Sequence, residues 1–302
     1  MQESTTGRRA RDSVANVNGI PASDLLARDH FAADCDRCAG LCCVALAFTR
    51  SSDFAFDKHA GQECVHLGEN GGTDDFRCSI HPHLRERGMR GCTVFDCLGA
   101  GPRLTARAGN WRTHSDSGAA MFAAFPVLRQ LHELEWYLVE AERRVESATL
   151  RHECLTALNE TEGFVERVLA TSGSGPAQVD THQVDDRRSA IAALLGRVSE
   201  SIRGATPTLG PRLVAGGDLI GAKLAGRDLS RANLRGAYLI AADLTGVRLD
   251  LTDLIGADLR DTRLHGADLS RALFVTQPQI NAAAGDSATR IPERLVRPSH
   301  WG

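Results

Sequence analysis

The feature that most constrains the fold of this chain is a five-residue period that begins at residue 215. It runs through "AGGDL IGAKL AGRDL SRANL RGAYL IAADL TGVRL DLTDL IGADL RDTRL HGADL SRALF". A period of five matches neither the helical turn nor the two-residue alternation of a strand. Each unit therefore forms one side of a coil that turns a corner every five residues, and the last residue of each unit points inward. The predicted inward residues are Leu219, Leu224, Leu229, Leu234, Leu239, Leu244, Leu249, Leu254, Leu259, Leu264, Leu269 and Phe274.

A second inward position lies two residues before each of these and is mostly small, as a position beside a bulky leucine requires. Arg227 occupies this position in one unit, where an inward guanidinium would be costly unless it reaches an end of the coil or finds a partner. We therefore expect a distorted coil at Arg227, or a place for it beneath an N-terminal cap. The small residues are Ala222, Ala232, Ala237, Ala242, Ala257 and Ala267.

The repeat resembles the pentapeptide-repeat family, whose units read A(D/N)LxX, over about residues 214 to 276. The resemblance implies a right-handed four-sided β-helix, in which twelve units make three coils with a height of roughly 15 Å. The tail "TQPQINAAAGDSATRIPERLVRPSHW" looks like the segment that often follows such repeats. In this tail, Ile280, Ile291, Leu295 and Trp301 are predicted to cover the open edge of the last coil.

Cysteines are concentrated in the N-terminal half of the chain. The spacing Cys35-x2-Cys38 is the one by which a tight turn presents two thiolates to one metal ion. Residues 35–113 also contain many glycines and little helical periodicity, which is typical of a domain held together by metal–ligand bonds. Cys154 lies apart, in a helical pattern, and is predicted to be a buried core cysteine. The other eight cysteines are Cys35, Cys38, Cys42, Cys43, Cys64, Cys78, Cys92 and Cys97.

The thiol pattern leaves several arrangements open. The side chains of Cys42 and Cys43 point in different directions along most backbones, so they serve separate metal positions, or one binds metal while the other packs. A disulfide framework is the alternative, but it requires an oxidising compartment and usually an even number of cysteines. Zinc and iron–sulfur clusters both accept four thiolates in roughly tetrahedral geometry, so the spacing does not distinguish between them.

The pattern CxxCxxxCC, followed by CxIH and two further cysteines, resembles the YkgJ-like family of zinc- or iron-chelating domains, which also occurs in flagellin lysine methylases. The resemblance implies that the eight clustered cysteines are ligands. His81 falls in the family's C-x-[IV]-[HY] element, where it is a ligand, a donor to a sulfur or a surface histidine. The chain departs from the family at "HLRERG", where an Arg-Pro pair is usual. The methylases are larger, and the rest of their sequence has no counterpart here, so their activity does not transfer.

Other polar residues near the cysteines are weaker candidates. The sequence supports His66 and His83 as metal ligands less strongly than it supports His81. Basic side chains close to the cysteines are expected to offset the negative charge of several thiolates, or to form a solvated face. They are Arg37, Arg77, Arg85, Arg87 and Arg90.

The remaining segments differ in composition and periodicity. Apolar residues recur at helical spacing between Ala119 and Ala170, which predicts two or three amphipathic helices, with Pro126 near a helix start. The "GAGPR" after Cys97 is predicted to be a turn, because it lacks the context of a dinucleotide site.

The fold class is multidomain α+β, with a cysteine-rich metal-binding N-terminal domain, a helical middle and a C-terminal quadrilateral β-helix. The predicted segments are a polar arm at 1–34, the cysteine-rich domain at 35–113, a helical region at 114–171, a linker at 172–183, a helix leading to the solenoid at 184–211, the repeats at 212–276 and a cap at 277–302.

Charge and targeting signals narrow the classes of function. The chain has 35 basic and 38 acidic side chains, so no global field favours nucleic acid or an anionic membrane. The longest apolar run, "AAMFAAFPVL", is too short for a membrane span. No apolar stretch follows the Arg8-Arg9 pair, so no export signal is recognised and we expect a cytoplasmic protein.

These observations favour a metal-thiolate protein whose solenoid or helical region binds a protein or peptide partner. The predicted cofactor is zinc or iron, with an iron–sulfur cluster as one form of the latter. No catalytic residue is assigned, because no Ser-His-Asp set, paired carboxylates or Walker motif is present. The alternative is an iron-dependent redox or peptide-modifying enzyme that uses the cysteine cluster. An open coordination position or a thiol of low pKa would favour it.

A third class comes from the repeat family, some of whose members resemble DNA and modulate DNA gyrase. That mechanism requires a long solenoid with an acidic face. The repeats here are short, and their eight aspartates are matched by nine basic residues. The sequence therefore predicts no effect on gyrase.

Overall fold

The computed structural model describes residues 28–68, 75–113, 115–172, 181–205 and 209–302. Most of the predicted arm, residues 1–34, lies outside these ranges, and its described part contains a 3-10 turn at Arg28–Phe31. None of the described helices is both long and apolar enough to cross a membrane. We number the α-helices in chain order as α1 (Leu41–Val44), α2 (Arg90–Val94), α3 (Ala100–Ala108), α4 (Ser115–Arg144), α5 (Ala148–Thr171), α6 (Thr181–Arg203) and α7 (Gln277–Ala282).

The cysteine-rich segment, residues 35–113, consists of loops separated by the short helices α1, α2 and α3. Antiparallel bridges join Phe48 to Lys58 and Leu67 to Cys78. The turn predicted at "GAGPR" is only partly correct, because Gly99 adopts a φ of +79° and α3 begins at the next residue. A Cβ atom at Gly99 would collide with the carbonyl group of His30, so a glycine is needed where these two segments meet.

Helices α4, α5 and α6 pack against one another and form the helical middle of the molecule. Pro126 lies well inside α4 and not near its start. The helix continues through it because the neighbouring Phe125 and Leu128 are fully buried, and their packing outweighs the lost hydrogen bond. Helix α6 begins at Thr181, a few residues before the predicted position 184. The predicted linker, 172–183, falls mostly outside the described residues.

The repeats form stacked coils in which single-residue parallel bridges join positions that lie one coil apart. The bridges run from Asp218 with Tyr238 to Asp253 with Leu273. No continuous strand is present in the described repeats, so the β part of the predicted α+β class consists of isolated bridges. Each side of the coil has too few residues between corners for a longer ladder. The predicted inward leucines and Phe274 are confirmed as core residues, since each is at most 6% exposed.

Two further predictions concern the ends of the solenoid. Arg227 is exposed, and its guanidinium donates to the carbonyl oxygen of Leu209 at 3.2 Å, so it has reached the N-terminal end of the coil. At the other end, the bridges continue into the tail, where Ile280, Leu295 and Trp301 are buried in the solenoid core. Ile291 is partly buried against the same core.

Helix α4 belongs to two hydrophobic cores. Its first half, including Met121 and Phe125, packs with the cysteine-rich segment and α5. Its second half, including Tyr137 and Leu138, packs on the solenoid. The indole N–H of Trp136 also donates to the carbonyl oxygen of Val275 at 3.1 Å. The helical layer is therefore packed directly against the repeats.

Candidate metal centre

One cavity of about 940 Å³ is lined by all eight cysteines of the cysteine-rich segment. They come from separate elements: Cys35 lies in a 3-10 turn, Cys42 and Cys43 in α1, and Cys92 in α2. His81 also lines the cavity, so the structure brings all nine predicted ligands to one place. Cys154 is fully buried in α5, outside the cavity.

The sulfur atoms surround the cavity and do not meet at one point. The Sγ atoms of Cys42 and Cys43 lie 3.9 Å apart. No three of the eight sulfurs, all of which belong to described residues, lie within 4.8 Å of one another. Four thiolates around one zinc ion would be separated by about 3.8 Å, so the thiols are not arranged here as the ligands of one ion. Eight thiols are also more than the four that one tetrahedral ion accepts, so their number is sufficient for more than one metal atom.

Main-chain N–H groups are directed at several of the sulfurs. Burial raises the pKa of Cys38, and a hydrogen bond from the N–H group of Leu41 opposes that rise. Burial likewise raises the pKa of Cys97, to about 12, and a hydrogen bond from the N–H group of Gly101 opposes that rise. Gly101 also lies against both thiols, and a Cβ atom there would lie only 2.8 Å from the Sγ atom of Cys38. Donors of this kind stabilise negative charge on sulfur, as metal-bound thiolates require.

The remaining electrostatics of the cavity come from burial and from the thiols themselves. Burial, together with a smaller contribution from a neighbouring thiolate at Cys42, raises the pKa of Cys35 to about 11 and that of Cys92 to about 12. Every resolved shift among the cavity thiols is upward. None of the resolved shifts is the lowered pKa by which an activated thiol nucleophile is recognised.

A buried lysine lies beside the thiols. The side chain of Lys58 is almost fully buried, and its ammonium group donates to the carbonyl oxygens of Val44, His59 and Gln62 at 2.8–3.2 Å. Burial lowers the pKa of Lys58, whereas nearby thiolates, led by Cys64, raise it. Sequence analysis missed this residue because it lies six positions from the nearest cysteine.

The other candidates near the cysteines have different places. His66 lines the cavity, whereas His83 is exposed and pairs with Glu86. Among the predicted arginines, Arg77 lines the cavity. Arg90 instead pairs with Asp261 of the solenoid.

A second cluster of chemically capable residues lies next to the thiol cavity. The donor atoms of His30, His132 and Glu135 all lie within 4.8 Å of one another. The ring of His132 donates from Nδ1 to the carbonyl oxygen of Leu98, the residue after Cys97, at 2.7 Å. Sequence analysis missed this cluster. Its only local signal is the one-turn spacing of His132 and Glu135 on α4.

Comparison with known proteins identifies the repeats. A family model for pentapeptide repeats matches residues 218–254 and 237–274, with eight copies. The uncharacterized protein YybG of Bacillus subtilis (strain 168) is 50% identical over 274 residues, which cover 89% of this chain and 94% of that protein. This chain belongs to the same family as YybG, and its residues 218–274 are pentapeptide repeats. The extent of the match to YybG shows that the relationship is not confined to the repeats.

A solved structure shares the repeats. It is a pentapeptide repeat protein from the thylakoid lumen of Arabidopsis thaliana, 25% identical, and the match covers 32% of this chain and 62% of that one. The TM-score is 0.21. The chain thus spans less than two thirds of that protein.

Proposed function

We propose that this pentapeptide-repeat protein is a metal-thiolate protein in which the cysteine cavity holds a centre of more than one metal atom. The helical layer and the solenoid then form a scaffold for a protein partner. The observation that carries the proposal is the convergence of eight cysteines, from separate segments, on one cavity. The resemblance of the same cysteines to the YkgJ-like domains supports it, with zinc or iron as the metal.

Three features of the cavity favour metal over the alternatives. The eight cavity cysteines are unpaired in the structure, which argues against a disulfide framework. The N–H groups directed at the sulfurs are the donors that bound thiolates need. The raised thiol pKa values disfavour thiol nucleophiles, and with them one form of enzymatic chemistry. Free thiols also persist best in a reducing compartment, so the proposal places the protein in the cytoplasm.

The two forms of such a centre differ in what they supply. An iron–sulfur cluster supplies one-electron redox chemistry, and a pair of zinc ions supplies structural cross-links. In either form, the cysteines hold the metal, the N–H groups of Leu41 and Gly101 support two of the sulfurs, and Lys58 offsets part of their charge.

The solenoid supports the scaffold role because its charges are paired on its own surface. Arg263 bonds Asp243, one coil away, at 2.9 Å. Arg290 bonds Asp268 in the same manner at 2.9 Å. Acidic side chains are thus matched by basic ones along the stack. This arrangement disfavours an acidic DNA-like face and leaves protein binding as the better reading of the repeats.

The partner surface that we propose lies at the N-terminal end of the solenoid, on the first coil and the start of the second. Val214, Ile220 and Tyr238 are large apolar residues with 46%, 55% and 52% of their surface exposed. They lie close together, since the main chain of Tyr238 pairs with Gly217 and Leu219. Exposed aromatic and aliphatic groups of this kind are common where proteins bind one another.

The test of the metal proposal is elemental and sulfide analysis, with a visible spectrum, of full-length protein purified without oxygen. The double variant Cys35→Ala/Cys38→Ala removes two cavity thiols. Cys154→Ala is the matched control, because it removes a buried thiol outside the cavity. We expect several metal atoms per chain in the wild type and in the control, and their loss in the double variant.

The form of the metal follows from the same measurement. Brown protein with iron and acid-labile sulfide identifies a cluster, and colourless protein with two zinc ions identifies a zinc pair; both support the proposal. Full metal content in the double variant would refute the ligand assignment.

The partner surface is tested by photo-crosslinking in an extract of the native cells. A photoreactive phenylalanine analogue replaces Tyr238, and the same analogue at the exposed Thr245 is the control. We expect one crosslinked protein from position 238 that is absent from position 245. Equal labelling at both positions, or none at either, would contradict the proposed surface.

A further inference from the structure

The cluster of His30, His132 and Glu135 is distinct from the thiol cavity and nearly closed to solvent. His132 and Glu135 are fully buried, one turn apart on α4. The side chain of His30 is 16% exposed, and its Nε2 atom lies 3.4 Å from the Oε2 atom of Glu135. The two imidazole rings stack with their centroids 5.1 Å apart. Three donor atoms of two kinds thus face one another inside the protein.

Two of these groups have atoms without partners. The Nδ1 atom of His132 contacts a carbonyl oxygen and must carry the proton, so its Nε2 atom presents a lone pair. That Nε2 atom is buried and makes no hydrogen bond, and the same is true of the Oε1 atom of Glu135. Buried polar atoms without partners are costly and rare. The Nε2 atom is an acceptor, and the Oε1 atom is one when Glu135 is ionised, so a cation would satisfy both atoms together.

The surroundings hold the cluster in place and leave it short of positive charge. Arg103 donates to both Glu162 and Glu166. Glu162 is fully buried and lies beside Glu135. Three acidic side chains therefore lie around one guanidinium. A divalent cation bound at the cluster would offset the charge of Glu135 in its ionised form.

We propose that His30, His132 and Glu135 form a second metal site, which binds one divalent transition-metal ion through two imidazoles and a carboxylate. This donor set suits iron(II), zinc and cobalt(II) better than magnesium or calcium, which prefer oxygen ligands. The bond from His132 to the Leu98 carbonyl is the support that metal-binding histidines usually have. Leu98 adopts a φ of +50° and follows Cys97, so one strained peptide segment joins this site to the thiol cavity.

The site is tested by cadmium NMR of the full-length chain, stripped of metal and reloaded with the cadmium ion alone. Cadmium bound by nitrogen and oxygen resonates in a range well separated from cadmium bound by thiolates. We expect one nitrogen- and oxygen-ligated resonance in the wild type. Its absence would overturn the proposal, whatever the thiolate resonances show. Missing thiolate resonances beside an intact nitrogen and oxygen signal would instead count against the proposed function.

Variants assign the signal to residues. His132→Gln and Glu135→Gln are each expected to abolish the nitrogen- and oxygen-ligated resonance and to lower the bound cadmium by one ion per chain. His152→Gln, which changes an exposed histidine on α5, is expected to keep both. Survival of the resonance in His132→Gln would refute the assignment. If circular dichroism shows that the α4 variants do not fold, His30→Gln gives the same test from outside α4.

Discussion

At the scale of single residues, the corners of the solenoid are set by backbone conformation. A left-handed φ recurs every five residues, at Gly236, Ala241, Gly246 and Leu251 among others. Glycine adopts this conformation without a steric penalty, whereas residues with a Cβ atom do so at a cost. The glycines scattered through the repeats are therefore explained by the corners and not by close packing.

Replacing a corner glycine should lower stability through the backbone alone. Gly246 has a φ of +64°, and a Cβ atom there would meet nothing within 4 Å. We expect Gly246→Ala to lower the free energy of unfolding by about 1 kcal/mol. Gly196 in α6 also has open space around it but is helical, so Gly196→Ala should raise stability by ~0.5–1 kcal/mol. Urea denaturation measures the change in unfolding free energy for both variants. A change of the same sign in both would contradict the role of the left-handed φ at the corners.

Seven of the twelve inward residues follow an aspartate or asparagine, and this polar residue has a matching role at the corner. The Oδ1 atom of Asp243 accepts from the N–H of Thr245 at 3.1 Å, and that of Asp253 accepts from Ile255 at 3.0 Å. Hydrogen bonds of this kind are typical of Asx turns. The polar residue of the family pattern A(D/N)L thus helps to form the corner of the coil.

Loss of the Lys58 ammonium group should lower both the stability of the fold and the retention of metal. Lys58→Met removes an ammonium group that three carbonyl oxygens accept from, and also the cation beside the thiols. We expect a loss of about 2 kcal/mol in unfolding free energy and faster release of metal to a chelator. The exposed Lys223→Met is the control. Unchanged metal release in Lys58→Met would show that its charge does not act on the thiols.

At the scale of elements, α4 is the structural link of the molecule, since each half of it packs in a different core. Two tryptophans mark the two sides. Trp136 donates to Val275 and lies under the guanidinium of Arg294, at 4.0 Å from the ring centre. Trp111 donates to the carbonyl oxygen of Ala39 at 2.6 Å, within the cysteine-rich segment. Each tryptophan thus stabilises a different contact, Trp136 with the solenoid and Trp111 within the cysteine-rich segment.

Conservative changes at these tryptophans should act on different regions. Trp136→Phe removes the bond to the solenoid tail, so hydrogen exchange should rise in residues 277–302. Trp111→Phe removes the bond to Ala39, so exchange should rise within residues 35–113. Each substitution is expected to lower the free energy of unfolding by about 1 kcal/mol, which is the net contribution of one buried hydrogen bond. Exchange mapping by mass spectrometry checks both, and identical maps would argue against two separate cores.

At the scale of the whole molecule, the cysteine-rich segment is the region most dependent on ligands. Its helices are short, and its contacts with the solenoid are few and exposed, such as Arg85 with Asn281. The solenoid and helical layer share a large apolar core instead. Stability is therefore distributed unevenly along the chain.

Removing the metal should melt one region and spare the others. With a chelator present, we expect residues 35–113 to become sensitive to protease, whereas α4–α6 and the repeats stay protected, because the core on the solenoid side needs no metal. Cys35→Ala/Cys38→Ala should behave in the same way without chelator. Loss of protection throughout the chain would show that the metal centre also supports the solenoid.

The sequence by itself determined the features that repeat or cluster along the chain. The five-residue period placed Leu219 through Phe274 in the core, and the density of thiols indicated one cysteine-rich segment. Such signals are readable because each unit or motif carries its own pattern. The assignment of the eight clustered cysteines as metal ligands remains a prediction, although the structure gathers them around one cavity.

Only the tertiary structure decided which distant residues meet. His30 and Glu135 are separated by 105 positions, and Trp136 and Val275 by 139, so no local pattern links either pair. Lys58 and Gly99 have roles that depend on the segments packed against them. Burial is a property of the whole fold. It makes two histidines from separate elements and a glutamate a candidate metal site, and it packs one face of α4 against the solenoid.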